Sequence, residues 1–267
     1  NESINEMARQ QGTYFKKNFK HALLFRNSRE EFTIIFNTRA ESERAIPILE
    51  KRFSGTWVVN KYPLVSPILL CYAPHTKLPI APDRIISYME RILKRQEESD
   101  SDELVVSLDN EQVKSIQREI SIESELIKAI EANNLEVYVQ PIHSQKTGNY
   151  PIAEALVRFT HPTLGKISPD EFIPIAEDLR IVSRIDELVL RKVCEFIQIN
   201  NLSEKEGFQY ITVNLSAVDL MVKDIGERII EIINQNEIPS NSIHFEITET
   251  AATLTKDQLI KAMRALK

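Results

Sequence analysis

Glycine is scarce in this chain: only 6 of its 267 residues are glycine, against an average share of about 7%. A barrel enzyme with many tight turns between strands and helices normally has more, because glycine accepts backbone conformations that other residues avoid. The deficit is easier to understand if a glycine-rich segment of the parent protein lies outside this sequence.

Cysteine and long apolar runs are also lacking. The two cysteines, Cys71 and Cys194, lie far apart and inside apolar stretches, which argues against a disulfide framework and favours a reducing compartment. No apolar run approaches the roughly 18 residues that a membrane span requires, and no signal-peptide pattern opens the chain. We expect a soluble, cytoplasmic chain without a membrane segment, whose parent would attach to a membrane only through sequence that is absent here.

The charge balance is mildly acidic, with a net charge of −6 and a pI of about 5.6. Proteins that bind nucleic acid regardless of sequence are usually basic, so this class is disfavoured. A small anionic ligand remains compatible, because local arginines or a bound metal ion can override the total charge. The length suits either two domains or one barrel.

Residues 1–109 have the pattern of a small α+β domain. Two apolar runs, His21–Arg26 and Phe32–Phe36, flank a polar turn and predict a β-hairpin. Helices are predicted over 41–53 and 82–96, and strands over 56–60, 64–72 and 104–108. Residues 110–134 form an amphipathic helix that links two domains. Its first half either packs on its neighbours or pairs with a second copy, so a homodimer is predicted.

From Leu135 to the end, strands alternate with helices. The strands are predicted over 136–142, 151–159, 209–215 and 242–248, and the helices over 169–177, 184–200, 217–235 and 256–266. This alternation predicts an α/β fold with a mostly parallel sheet and helices outside it. A closed (β/α)₈ barrel needs about 250 residues, so residues 135–267 correspond to a partial (β/α)₈ TIM-like barrel.

One strand of this region carries charged residues on a single face. With a period of two, Glu154, Leu156 and Arg158 share a face of the strand that follows Pro151. A glutamate between alanine and leucine is costly to bury unless it is paired or binds a metal ion. An internal ion pair between Glu154 and Arg158 is the structural alternative to a functional site, and the spacing leaves both open.

The next two strands carry polar residues near their carboxyl ends, where barrel enzymes build their sites. These residues are Asn214 and Glu246. Asn214 could merely cap a helix, and Glu246 could form a salt bridge. Together with Glu154, however, they make a set of hard oxygen ligands that suits Mg²⁺ or Mn²⁺. A divalent ion among carboxylates, with arginine and glutamine nearby, points to phosphoester chemistry.

An ordered set of motifs resembles the EAL domain family over about 115 residues. The matching segments are Gln140-Pro141-Ile142, Glu154-Ala155-Leu156-Val157-Arg158-Phe159, His161-Pro162, Gly165, Ile167-Ser168-Pro169, Glu171-Phe172-Ile173-Pro174, Ala176-Glu177, Val213-Asn214-Leu215-Ser216 and Glu246-Ile247-Thr248-Glu249. The resemblance implies a modified (β/α)₈ barrel that hydrolyses cyclic-di-GMP to linear pGpG with Mg²⁺ or Mn²⁺. Arg180 departs from the glycine that many members have, in a surface turn.

The resemblance also implies roles for individual residues. Glu154, which is also the implied catalytic residue, would bind metal together with Asn214 and Glu246. The implied contacts to the dinucleotide are Gln140, Leu156 and Arg158, with Arg158 on a phosphate. Glu249 would stabilise the loop that shapes the active site and the dimer.

The rest of the family's site would follow Lys267. This part includes an aspartate pair, a catalytic lysine and later glutamates. We therefore expect the 267-residue polypeptide to be inactive alone, with phosphodiesterase activity belonging to the parent protein. A receptor that binds cyclic-di-GMP, or a protein-interaction module, is the alternative. The complete ligand set disfavours it, because a receptor needs no metal ligands.

The N-terminal region resembles the GGDEF domain family at its signature hairpin, residues 25–35. Ser28 and Arg29 stand where the family has two glycines, and Glu30 replaces the first acid. These glycines permit close approach of the backbone to nucleotide phosphates, so we expect no cyclase activity and a regulatory role. The family's first strand would precede Asn1. An unrelated α+β domain remains the alternative.

Overall fold

The computed structural model describes residues 2–28, 30–73, 78–99, 101–216 and 225–247. The chain divides into two compact units, Asn1–Arg118 and Glu119–Lys267. The division falls inside a long helix that begins at Asn110. The domain boundaries inferred from the sequence, 1–109, 110–134 and 135–267, stay predictions.

The N-terminal unit contains short strands in three separate two-stranded sheets. Its elements are α1 (Glu2–Asn18), β1 (Leu23–Arg26), β2 (Phe32–Ile35), α2 (Arg39–Phe53), β3 (Thr56–Val59), β4 (Tyr62–Val65), β5 (Leu70–Tyr72), α3 (Ile85–Glu98) and β6 (Val105–Ser107). The predicted hairpin is confirmed as the antiparallel pair β1–β2. The strand predicted over 64–72 is instead two strands, because Pro67 lies between them and cannot donate to a ladder.

An aromatic cluster forms part of the core of this unit. It contains Phe15, Leu49, Phe53 and Trp57, and the centres of the Phe53 and Trp57 rings lie 5.2 Å apart. Arg52 covers the outer side of this cluster, with its guanidinium carbon 3.4 Å from the centre of the Trp57 ring. Cation–π contacts of this kind favour arginine over lysine.

The C-terminal unit is built around one five-stranded sheet. Its elements, with the helix that enters it, are α4 (Asn110–Glu131), β7 (Glu136–Ile142), β8 (Ile152–His161), β9 (Gly165–Ile167), α5 (Pro169–Asp178), α6 (Val182–Ile199), β10 (Tyr210–Leu215), α7 (Ile225–Gln235) and β11 (Ile243–Ile247). The strand order is β11–β10–β8–β7, with β9 paired to β8. The predicted helix over 256–266 and the start of the predicted helix over 217–235 lie outside the described residues.

Strand directions differ from the expectation at one edge. β8, β10 and β11 are parallel, as predicted, but β7 is antiparallel to β8. Only nine residues connect β7 to β8, and a parallel pair needs a crossover of about a dozen or more. The short strand β9 was also not predicted. It follows a tight turn that ends at Gly165, which has a φ of +76°, a value that glycine adopts without strain.

The helices cover one face of this sheet. Ala153 and Ala155 of β8 and Val213 of β10 are buried in a single core, together with apolar residues of α4, α5, α6 and α7 such as Phe172 and Ile185. Because side chains alternate along a strand, the residues between them point to the opposite face. That opposite face carries the polar residues singled out from the sequence.

Candidate functional site

The register of the sheet brings the polar residues of four strands onto one face. Gln140 lies opposite Glu154 across the antiparallel β7–β8 pair, and Glu154 lies opposite Thr212 on β10. Asn214, two residues after Thr212, lies opposite Glu246 on β11. Paired residues share a face, as do residues two apart. The face therefore holds Gln140, Glu154, Leu156, Arg158, Thr212, Asn214 and Glu246; we call it the site face.

Glu154 makes its side-chain contact with Asn214. The Nδ2 atom of Asn214 donates to Oε1 of Glu154 over 3.3 Å, and both side chains are half-buried. The two residues are 60 positions apart in sequence, and the parallel pairing of β8 with β10 brings them together. Two of the three predicted metal ligands thus lie within hydrogen-bond distance of each other.

The alternative ion pair between Glu154 and Arg158 is not what the structure shows. The Arg158 guanidinium donates to the carbonyl oxygen of Val157 over 2.9 Å and lies 5.6 Å from the centre of the Tyr138 ring. Within the described ranges, no ion pair involves Glu154. The Glu154 carboxylate and the Arg158 guanidinium are therefore both available to a ligand at the site face.

Glu246 is exposed at the edge strand β11, level with Asn214. The salt bridge that the sequence left open for it is not seen in the described part of the chain. Glu249, the predicted loop-stabilising residue, lies outside the described residues.

The residues at this face fit a hard divalent cation. They offer two carboxylates and one amide, and an amide carries an acceptor oxygen beside its donor nitrogen. Thr212, between Glu154 and Asn214 on the face, adds a buried hydroxyl that has no hydrogen-bond partner among the described residues. No group of three or more His, Cys, Asp or Glu side chains suited to a metal occurs in the residues that the structure describes. Mg²⁺ and Mn²⁺, which accept carboxylate and amide oxygens, suit this donor set better than Zn²⁺.

Comparison with known families decides the assignment. A model of the EAL domain matches residues 123–267, more than half of the chain. The chain belongs to the EAL domain family. The match starts within α4 and includes the whole site face, so the family resemblance stated from the sequence motifs is confirmed.

Several curated proteins are similar to this EAL region. Cyclic di-GMP phosphodiesterase NbdA of Pseudomonas aeruginosa is 31% identical over 150 residues, which are 56% of this chain and 19% of that protein. An uncharacterized protein of Mycobacterium tuberculosis is 32% identical over 133 residues, which are 48% of this chain and 20% of that protein. The chain thus spans about a fifth of the length of these relatives.

A solved structure supports the fold of the EAL region. The EAL enzyme Bd1971, in its form bound to cAMP and cyclic-di-GMP, superposes with a TM-score of 0.50 at 20% identity, over 72% of this chain and 50% of that one. At this identity the likeness concerns the fold, and the predicted EAL-type α/β fold is confirmed. In the described ranges, no helix combines the length and apolar character that crossing a bilayer requires.

The amino ends of the EAL strands carry an aromatic pair on the site face. The rings of Tyr210 and His244 stack with centres 3.6 Å apart and planes at 16°. His244 lies opposite Thr212, so the stack flanks the polar residues on the side of the strands' amino ends. Sequence reasoning assigned it no role, because the stacking depends on the pairing of β10 with β11.

The carboxyl end of β10 is held by two helices, which the sequence also did not reveal. Ser216 donates from its hydroxyl to Oε1 of Glu177 over 2.8 Å, and from its backbone N–H to Oδ2 of Asp186 over 2.9 Å. Glu177 lies on α5 and Asp186 lies on α6. These contacts join residues 39 and 30 positions apart, and no local pattern signals them.

Proposed function

We propose that this chain provides part of the active site of a phosphodiesterase that hydrolyses cyclic-di-GMP to pGpG with Mg²⁺ or Mn²⁺. The observation that carries the proposal is the position of Glu154, Asn214 and Glu246 on one sheet face, with the Asn214 amide on the Glu154 carboxylate. The similarity to NbdA, a protein named as a cyclic-di-GMP phosphodiesterase, supports the choice of substrate.

The metal would be held by Glu154, Asn214 and Glu246. When bound, it would supply Lewis-acid polarisation of the phosphoester. Glu154 is the central residue of the set, because its half-buried carboxylate contacts Asn214 and neighbours Gln140 in the register.

The dinucleotide would lie along β8. Arg158 is two residues beyond Leu156 on the site face, and its guanidinium would donate charge-assisted hydrogen bonds to a phosphate. Leu156 offers an apolar surface to a base, and Gln140 offers both a donor and an acceptor to its edge. The half-buried positions of Leu156 and Arg158 are consistent with contact to a ligand on this face.

Turnover of cyclic-di-GMP tests the proposal. The assay uses this polypeptide together with the flanking sequence that its gene supplies, with Mg²⁺ or Mn²⁺ present. We expect Glu154→Gln to lower turnover on the order of 100-fold or more, since even residues that only orient metal ligands are worth 10–100-fold. Glu195→Gln, the same change on the exposed surface of α6, is the matched control and should retain full turnover.

Two results would contradict the proposed phosphodiesterase activity. One is tight binding of cyclic-di-GMP without turnover in Mg²⁺ or Mn²⁺, which would identify a receptor. The other is equal turnover in Glu154→Gln and the control, which would place the chemistry elsewhere.

We further propose that the N-terminal unit is a degenerate GGDEF-like domain with a regulatory role. Its β1–β2 hairpin carries Ser28 and Glu30 at the tip, in the positions that the family resemblance assigns to the signature. Phe53→Ala disturbs the core of this unit. If the unit is regulatory, this substitution should change the turnover of cyclic-di-GMP by the polypeptide with its flanking sequence. Unchanged turnover would mean that the unit has no such role.

We also propose that the native protein is a homodimer. In the first half of α4, Val113 and Ile116 are buried within the protomer, so this half-helix packs on its neighbours and the dimer contact would lie elsewhere. The test is sedimentation velocity of the polypeptide with its flanking sequence at two concentrations, and a monomer at both would contradict the proposal.

A further inference from the structure

Two acidic side chains from different helices meet at one serine beside the EAL site. Ser216 is the first residue after β10 and is 4% exposed. Its hydroxyl donates to Glu177 of α5, and its backbone N–H donates to Asp186 of α6. The hydroxyl and the backbone N–H of this buried residue are therefore each bound to a helix.

These contacts lie two residues from Asn214. The amide of Asn214 extends across the sheet to Glu154 over 3.3 Å, at the far limit for a good hydrogen bond. Its direction depends on the backbone at the end of β10. β10 pairs with β8 only as far as Val213, which is the last residue of the β8–β10 ladder. Beyond Val213, the pairing with β11 and the bonds of Ser216 fix the strand.

We propose that Glu177 and Asp186 are positioning residues of the metal site. By binding the hydroxyl and the backbone of Ser216, they fix the carboxyl end of β10 and so aim the Asn214 side chain at Glu154 and the cation. The role attributed to the cation rests on the proposed function. The contacts that place Glu177 and Asp186 beside the site are their hydrogen bonds to Ser216, and the proposed role is exerted through this serine.

Glu177 and Asp186 are both half-buried. Hydrogen bonds to an ionised carboxylate are stronger than those between neutral groups, so the two acids hold Ser216 firmly. Residues that form hydrogen bonds next to a metal ligand commonly orient that ligand without contacting the metal themselves.

The test removes the hydroxyl contact from either side. Ser216→Ala and Glu177→Ala each delete the same hydrogen bond, and Ser216→Thr preserves it. Ser203→Ala is the matched control, because Ser203 makes a partly buried bond of 3.2 Å to the Ser242 hydroxyl in the same unit. Each variant is prepared in the full chain with its flanking sequence.

The first measurement is Mn²⁺ affinity, from the electron paramagnetic resonance signal of unbound Mn²⁺. We expect Ser216→Ala and Glu177→Ala to weaken binding by about 10-fold to 100-fold, and the double variant to be no weaker than either single one. Ser216→Thr and Ser203→Ala should bind as the wild type does.

The second measurement needs no metal. The side-chain amide resonance of Asn214 in a ¹⁵N spectrum of the metal-free protein should move in Ser216→Ala and stay in place in Ser203→Ala. A wild-type protein that binds no Mn²⁺ would overturn the proposed function, whereas a moved Asn214 resonance would still support the positioning role. Unchanged Mn²⁺ affinity and an unmoved resonance in Ser216→Ala would overturn the positioning role.

Discussion

The two units of this chain have similar secondary structure content but differ in how their strands are used. In the described part of the N-terminal unit, six short strands form three separate pairs, and an aromatic cluster of four large side chains makes up part of its core. The C-terminal unit joins its strands into one sheet whose buried face contacts helices α4 to α7. In a continuous sheet, the face that the helices do not cover brings residues that are far apart in sequence next to one another. Among the residues that the structure describes, such a sheet occurs in the C-terminal unit alone, and it carries the candidate site.

The separate hairpins of the N-terminal unit leave apolar strand residues exposed. Examples are Val58 at 59%, Tyr62 at 72% and Val65 at 62% exposure. Exposed apolar clusters of this kind bury less surface per residue, so they stabilise a fold less. We therefore expect the N-terminal unit to be the less stable of the two.

The largest effect on stability is expected from matched phenylalanine deletions. Phe172 is fully buried against Phe159 in the large core, and Phe53 is 2% exposed in the small one. Phe172→Ala should cost about 3–5 kcal/mol, because the surrounding sheet and helices do not collapse into the space. Phe53→Ala should cost about 3 kcal/mol, the low end of that range, since partly exposed neighbours can move inward.

Urea unfolding measures both variants. Circular dichroism follows the whole chain, and the fluorescence of Trp57, the sole tryptophan of the sequence, follows the N-terminal unit. A greater loss in the free energy of unfolding for Phe53→Ala than for Phe172→Ala would contradict the expected difference between the two units.

The second effect is the protection of the two thiols. Burial raises the pKa of Cys71 from its ordinary value of 9.0 to about 12, and that of Cys194 to about 11. At pH 8 the thiolate fraction falls by roughly two to three orders of magnitude, and alkylation slows accordingly. Cys194 is buried, whereas Cys71 is half-buried on β5 of the less stable unit. We expect this greater access to outweigh the higher pKa of Cys71, so that Cys71 is alkylated before Cys194, as mass spectrometry of the peptides will show. The reverse order would contradict the stability ranking.

The same pKa shifts predict a pH dependence. Each folded unit keeps its thiol protonated to a higher pH than the unfolded chain does. The free energy of unfolding should therefore be unaffected by the thiols below pH 9 and should fall from about pH 9 toward 11 and 12. Cys71→Ser and Cys194→Ser would remove the part of this fall that each thiol causes.

A smaller difference in stability is expected between the removal of buried hydrogen bonds and the removal of an exposed one. Nδ1 of His161, which is 3% exposed, accepts from the backbone N–H groups of Thr163 and Leu164, each over 3.1 Å. His161→Ala leaves these donors without their acceptor and should cost about 1–3 kcal/mol. Asn27→Ala removes an exposed bond to Thr33 in the N-terminal unit and should cost at most about 0.5 kcal/mol. Equal midpoints in urea for the two variants would argue against the ranking.

The smallest effect concerns helix starts. Thr38 caps α2 by accepting from the backbone N–H of Glu41, whereas Ser168 makes no capping bond at α5, which begins with Pro169. Thr38→Ala should cost about 1 kcal/mol, and Ser168→Ala should stay within about 0.5 kcal/mol. Thermal unfolding of the two variants measures the difference, and a larger loss of stability for Ser168→Ala than for Thr38→Ala would contradict this prediction.

What the sequence predicted well depends on local periodicity. The face shared by Glu154, Leu156 and Arg158 followed from the period of a strand, and the hairpin of β1 and β2 followed from two apolar runs around a turn. The antiparallel direction of β7 had a signal too, since the connection to β8 is too short for a crossover. That signal lies in the length of a loop rather than in any residue, and the alternating pattern of strands and helices outweighed it.

The missed features depend on partners far away in sequence. Asn214 could be placed near the end of a strand, but its bond to Glu154 required the pairing of β8 with β10. The contacts of Ser216 with Glu177 and Asp186 required the packing of α5 and α6 on that strand. The buried hydroxyl of Thr212 looked like an ordinary strand residue. Their roles arise from tertiary packing, which a single sequence does not display.

The reversed direction of β7 has a mechanical consequence. Because β7 runs against β8, its amino end lies at the rim of the sheet where β8 ends, and only four residues separate that end from α4. The last residue of β8, His161, is also bonded through Nε2 to the hydroxyl of Ser121 on α4 over 3.0 Å. The rim is thus anchored to α4 at two points, one covalent and one through a buried ring. A displacement of this part of α4 along its axis would therefore pull on β8, the strand that carries Glu154 and Arg158.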